Sequence, residues 1–214
     1  MVAGFGRSRV CPARRRETDA VHGTGKRRAT SGIERRWQLR PAAVQPPKVT
    51  LAEWLRIAEV RLTQAGVASP RLEAQILAAT ILGVDRSSIL VRGPEEVDLA
   101  WELVERRIEG EPLAYITGWR EFRSSRFQVG PGCLIPRQET EELVELALAT
   151  LPDDPLTIAD VGSGSGCLGI SLALERPCWR IACIDLSWEA IDWTNRNRRA
   201  IAPGQVGLVR SDLL

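Results

Sequence analysis

Three aspartates and a run of glycines carry the residue types that could do chemistry in this 214-residue chain. Asp160 stands two residues before Gly162-Ser163-Gly164-Ser165-Gly166, while Asp185 and Asp212 each follow a short apolar run. Glycine at alternate positions lets the backbone take positive φ and bring its N–H groups close to a ligand. A carboxylate at the end of a strand accepts from hydroxyl and amino groups and favours a cation. Other machinery is missing from the sequence. The single histidine, His22, lies in a basic N-terminal stretch, so a Ser-His-Asp or Cys-His arrangement has no base in the remainder. Cys11, Cys133, Cys167, Cys178 and Cys183 form no CxxC pair, which argues against a zinc cluster and for a reducing compartment. Neither GxxxxGK[ST] nor GxSxG occurs, which excludes a P-loop and a hydrolase elbow.

The elements that must position these residues read as a βαβ unit. Ile158 to Val161 is a strand, the glycines turn the chain, and Leu168, Ile170, Leu172, Ala173 and Leu174 form a buried helix stopped by Pro177. Ile181-Ala182-Cys183-Ile184 is a second buried strand ending on Asp185. Ser187 caps a further helix through Ala190, Ile191 and Trp193, and Val206 to Val209 is a third strand ahead of Asp212. Parallel units of this kind bind nucleoside-containing ligands at the carboxyl ends of their strands.

Upstream, Thr50 and Glu53 form a capping box, and Leu51, Trp54, Leu55, Ala58 and Leu62 recur at helical spacing. Ser69-Pro70 opens a second helix that Gly83 closes, Asp85 caps a short turn, and a fourth helix is expected from Glu96 to Glu109. The runs Glu111–Phe122 and Phe127–Val129, punctuated by glycine, predict a β-hairpin; Pro136-Arg137 then opens an acidic-first-turn helix. The chain therefore divides into a basic, disordered extension at 1–48, a helical region at 49–110, a hairpin linker at 111–136 and an α/β region at 137–214. Residues 1–48 hold 12 Lys/Arg against 3 Asp/Glu, which leaves 17 basic and 24 acidic residues in the rest. The acidic balance of the folded part disfavours direct nucleic-acid binding. No apolar run approaches the ~18 residues of a membrane span.

Gly164-x-Gly166-x-x-Gly169 satisfies a dinucleotide pattern, so a nicotinamide cofactor stays open. Two features favour S-adenosylmethionine. Asp160 suits a ligand carrying an ammonium group and sits poorly beside a pyrophosphate. Asp185 could accept from both ribose hydroxyls and Asp212 from the adenine amino group.

The helical region, GWREFxxxxFxV, LIPRQETEELVE, DVGSGSGCLGISLAL, CIDLS and SDLL together resemble the peptide chain release factor glutamine methyltransferases, from about residue 50 to the end. The resemblance implies an α/β fold: a Rossmann-like S-adenosylmethionine-dependent methyltransferase domain, here with its first three strands, preceded by a small all-α domain that docks the substrate. It implies methylation of the side-chain amide of the glutamine in the GGQ motif of class 1 release factors, by a cytoplasmic monomer with no metal. By similarity, Gly162, Ser163, Gly164, Ser165 and Gly166 cradle the methionine end of the cofactor, Asp185 the ribose, and Asp212 with Leu213 the adenine. Arg137, Thr140 and Glu141 shape the pocket. Two positions depart from the pattern: Gln138 replaces a proline, and Arg123-Ser124-Ser125 replaces an aromatic and a glycine. The family's Asn-Pro-Pro-Tyr motif should follow Asp212, yet no Asn-Pro dipeptide occurs, so no catalytic residue is assigned and a truncated, inactive copy is expected. Two other readings are a nucleic-acid amino-group methyltransferase and a noncatalytic release-factor-binding fragment.

Overall fold

The computed structural model describes residues 49–92 and 96–212; the expected basic extension, with Cys11 and His22, and Leu213 lie outside them. Val49–Thr50 (β1) leads into Leu51–Gln64 (α1), where Thr50 accepts from the Glu53 amide and the Glu53 carboxylate accepts from the Thr50 amide. Pro70–Leu82 (α2) ends on Gly83 at φ 64°, a left-handed C-cap, and Arg86–Val91 (α3) follows Asp85, whose side chain makes no capping bond.

The next segment corrects the sequence reading. Instead of one helix from Glu96 to Glu109, Glu96–Val97 (β2) pairs antiparallel with β1, and a helix forms only over Glu102–Ile108 (α4). Val97 and Leu99 are buried while Glu96, Asp98 and Ala100 are exposed, so period two governs here. Leu113–Thr117 (α5) is a further correction. It is a helical turn between Pro112 and left-handed Gly118, in a stretch expected to be extended.

Trp54, Leu62, Leu77 and Val104 close the core of this helical part. Trp54 stacks on Trp101 with centroids 5.0 Å apart. Two partly buried ion pairs, Arg61–Glu105 and Arg107–Glu73, tie α4 to α1 and α2.

Trp119–Phe122 (β3) and Ser125–Gln128 (β4) form the expected hairpin, joined by Arg123 and Ser124. Phe122 and Phe127 meet edge to face at 5.8 Å and are buried in a second core, with Val144, Ile170, Trp179 and Ile181. The hairpin thus packs on the α/β part. Gln138–Thr150 (α6) precedes Thr157–Val161 (β5), Cys167–Glu175 (α7), Arg180–Asp185 (β6), Trp188–Ile201 (α8) and Val206–Arg210 (β7). The three strands are parallel in the order β5-β6-β7, with β5 at one edge and Val161 55% exposed. Leu174, expected inside, is exposed at the end of α7. No helix among the described residues is long and apolar enough to cross a membrane.

The indole N–H of Trp54 is buried with no hydrogen-bond partner among the described residues. An orphan donor of this kind costs roughly 1–3 kcal/mol. Trp54→Phe removes it along with some packing, so denaturant unfolding should show a small change. Trp54→Ala should lose about 3–5 kcal/mol. Equal, large losses for both variants would contradict this.

Candidate functional site

The site grows from the parallel register of β5 on β6, which sets Asp160 opposite Cys183 and Val161 opposite Ile184. Where β5 ends, the amides of Gly162 and Ser163 both donate to the Ile184 carbonyl, at 2.8 and 3.0 Å. The chain then reverses through Gly162, Gly164 and Gly166 at φ 76°, 57° and 77°. These are left-handed values that favour glycine. Gly166 is the N-cap of α7, and a Cβ there would lie 2.8 Å from Thr194 Cγ2. Gly162 is exposed, Gly164 half-buried, and Ser163 and Ser165 are buried, so the loop offers backbone rather than side chains to solvent.

Asp185, the last residue of β6, joins this loop directly. Its Oδ2 accepts from the Gly164 amide at 2.9 Å and its Oδ1 from the Ser187 amide at 3.0 Å. Each carboxylate oxygen keeps a further acceptor position. Ser211 donates its amide to the Asp185 carbonyl at 3.1 Å, which brings the end of β7 beside the end of β6; Asp212 follows, exposed.

Asp160 is placed differently from a strand-end carboxylate. It is 8% exposed, and its Oδ2 accepts from the Gly169 amide at 3.0 Å and lies 3.8 Å from the Cys183 thiol. Burial pushes its pKa up, and the Gly169 amide opposes that shift. Burial likewise pushes the Cys133 thiol up to about 12, and the Cys183 thiol up as well. Both thiols are buried, and burial disfavours the thiolate that would make them nucleophilic. Among the described residues no group of His, Cys, Asp and Glu could hold a metal.

Asp160, the glycine loop and Asp185 are therefore contiguous, with Asp212 at the neighbouring strand end. Arg137, Thr140 and Glu141 bond elsewhere. Glu141 accepts the Arg123 amide at 3.1 Å, and the Thr140 amide closes a turn on the Arg137 carbonyl at 3.2 Å. Arg137 and Glu141 line a shallow polar cleft with Arg120, Glu121, Pro136 and Gln138, between the hairpin and the start of α6.

Two residues of α8 escaped the sequence reading. Thr194 donates its hydroxyl to the Gly164 carbonyl at 2.9 Å, and Asn197 donates to the Ser165 carbonyl at 2.9 Å. Both are fully buried. Ala190, Ile191, Thr194 and Asn197 follow helical spacing, so two polar residues on an apolar stripe were the available signal.

Because its pKa is raised in the fold, Asp160 binds a proton more tightly there than in the unfolded chain. Its contribution to stability therefore falls as pH rises from the ordinary carboxylate value through the raised one. Asp160→Asn keeps an acceptor for the Gly169 amide and removes the buried charge. Its thermal midpoint at pH 7 should be no lower than that of the parent, with a flatter pH profile between pH 4 and 7. A large drop at pH 7 would show the charge itself to be stabilising.

Sequence comparisons match two families in different parts of the chain. The family described as PrmC N-terminal domain matches residues 53–118, and that described as methyltransferase small domain matches residues 138–214. A release factor glutamine methyltransferase of Moorella thermoacetica is 40% identical over 173 residues, which are 78% of this chain and 61% of the relative. The proteins of that name from Nitratidesulfovibrio vulgaris and Escherichia coli are 42% and 40% identical, with 76% and 74% of this chain and 57% and 58% of the relatives covered. The chain thus spans about three fifths of the length of these relatives. Two matched domains and these relatives make the chain similar to the release factor glutamine methyltransferases across both its helical and its α/β parts.

Proposed function

We propose that Gly162, Ser163, Gly164, Ser165, Gly166, Asp185, Asp212 and Leu213 hold S-adenosylmethionine, with Asp160 supplying negative charge beneath the loop. The bond from the Gly164 amide to Asp185 supports this most directly. It builds the glycine turn and the ribose-binding carboxylate as one unit at the ends of parallel strands. A ligand bearing a sulfonium and an ammonium suits a site with Asp160, Asp185 and Asp212 around it. A pyrophosphate would face the like charges of Asp185 and Asp212, with that of Asp160 buried behind the loop. The bound cofactor supplies an electrophilic methyl group on sulfur.

The substrate we propose is the glutamine side-chain amide in the GGQ motif of a class 1 release factor, in cytoplasmic translation termination. The helical part (α1–α5) docks that partner. The cleft lined by Arg137 and Glu141 forms the wall between docking part and cofactor loop, with Thr140 beside it. An amide nitrogen is a weak nucleophile because its lone pair is delocalised into the carbonyl. Transfer needs acceptors that hold its protons and aim the nitrogen at the methyl group, a positioning effect capable of about 7–11 kcal/mol. The Asn-Pro dipeptide of the resemblance is not among these 214 residues. We therefore assign to them the methyl-donor half of the reaction.

Calorimetric titration of the 214-residue polypeptide tests both statements. S-adenosylhomocysteine should bind and NADH should not, and Asp185→Asn should weaken binding by roughly tenfold or more, as expected for hydrogen bonds to a charged group. Binding of NADH alone would overturn the cofactor assignment. Incubated with S-adenosylmethionine and a class 1 release factor, the polypeptide should leave the GGQ glutamine unmodified by peptide mass spectrometry. Methylation above background would place the acceptor group within these residues.

A further inference from the structure

One face of α8 is in contact with two segments that lie far apart in sequence. On one side it grips the exit of the hairpin. Trp193 donates its indole N–H to the Pro131 carbonyl at 3.2 Å, and a Cβ on Gly130 would fall 2.5 Å from the Trp193 ring. A Cβ on Gly132 would fall 2.7 Å from that of Glu189. The opposite side holds the glycine loop through Thr194. Asn197 bonds to both. Its Oδ1 accepts from the Gln128 amide at 2.7 Å, and its Nδ2 donates to the Gln128 carbonyl at 3.0 Å and to the Ser165 carbonyl at 2.9 Å. The side chain is fully buried, and both of its amide hydrogens are committed.

This geometry constrains the loop in a directional way. In a trans peptide the N–H points opposite to the C=O. With the Gly164 carbonyl drawn to Thr194, the Ser165 amide faces away from α8. With the Ser165 carbonyl drawn to Asn197, the next peptide is fixed in turn, and its Gly166 amide closes on the Ser163 carbonyl at 2.7 Å. The same asparagine completes the outer backbone edge of β4 at Gln128. Either segment can relax only if Asn197 gives up partners to the other, and a buried amide left unpaired is costly.

We propose that Asn197 is a positioning residue that couples the β3–β4 hairpin to the glycine loop, so that a ligand ordering the loop also orders the hairpin on the docking side. The ligand half of this rests on the cofactor reading above; the coupling itself does not.

Amide hydrogen exchange on the unmodified 214-residue chain tests it, first without ligand, in graded sub-denaturing guanidinium chloride. The amides of Gln128, Gly164 and Gly166 should exchange through one shared opening with a common denaturant dependence. Independent, easier opening of Gln128 would overturn the coupling. In a second arm S-adenosylhomocysteine is added, and it should slow Gln128 along with the loop. Protection confined to the loop would also overturn the coupling. Protection of neither would overturn the cofactor reading, while the ligand-free arm still decides the coupling. Asn197→Ser should split the shared unit, with Gln128 exchanging about tenfold faster than the loop for the loss of roughly one buried hydrogen bond. A purely structural role would instead speed both segments equally and leave the ligand response of Gln128 intact. Asn197→Asp, which keeps the acceptor toward the Gln128 amide and gives up both donated bonds, serves if the serine variant does not fold; it should split the unit the other way, with the loop amides exchanging faster than Gln128.

Discussion

The α/β part depends on how closely α7 approaches the sheet at Gly169. A side chain there would meet the Cys183 thiol at 2.6 Å, with Asp160 Oδ2 and Ile181 Cγ2 both at 3.1 Å. Glycine is required for closeness rather than for an unusual φ, as where a helix must pack tightly on the strands of a nucleotide-binding turn. That approach lets the Gly169 amide reach Asp160, which neutralises part of the cost of burying a carboxylate. It also fixes where α7 begins, and so how sharply the chain must reverse between Val161 and Cys167. The positive φ values of the glycine turn follow from that geometry.

Position is then passed outward by polar contacts on buried surfaces. Asp185 pins the loop to β6, and Thr194 and Asn197 hold its carbonyls on α8. At the far end of the hairpin, Arg123 does comparable work from a position the family resemblance gives to an aromatic and a glycine. It takes φ 51°, a conformation glycine adopts with less strain. Its amide is held by Glu141, and its guanidinium is paired with Glu145 of α6 and, at 3.2 Å, with Glu175 of α7. The hairpin is therefore fastened at its turn to α6 and α7 and at its exit to α8. Its two phenylalanines complete the same core.

The parts of the fold that were legible in the sequence were those with one dominant signal. The capping box at Thr50, the closing Gly83 and the βαβ pattern from Thr157 to Asp185 announced their elements because local chemistry and tertiary packing agree there. Glu96 to Glu109 misled because its apolar residues fit helical spacing, while Val97 and Leu99 also alternate; pairing with β1 decided the outcome. The short α5 was hidden among β-compatible residues and rests on its Pro112 and Gly118 boundaries. In the site, residue types identified the loop and its carboxylates, but not their partners. Asp160 turned inward, because Gly169 offers an amide at close range. Thr194 and Asn197 were missed because a polar residue on a helix stripe has no fixed partner until the tertiary structure supplies one.

On the proposal above, the glycine turn and the strand-end carboxylates together form a nucleoside-cofactor site. Residue-resolved amide NMR of the 214-residue chain during addition of S-adenosylhomocysteine addresses it most directly. Shifts should concentrate at residues 162–166, at Asp185 and Ser187, and at residues 211–213. Shifts confined to the cleft of Arg120, Arg137 and Glu141, with the loop unmoved, would contradict it.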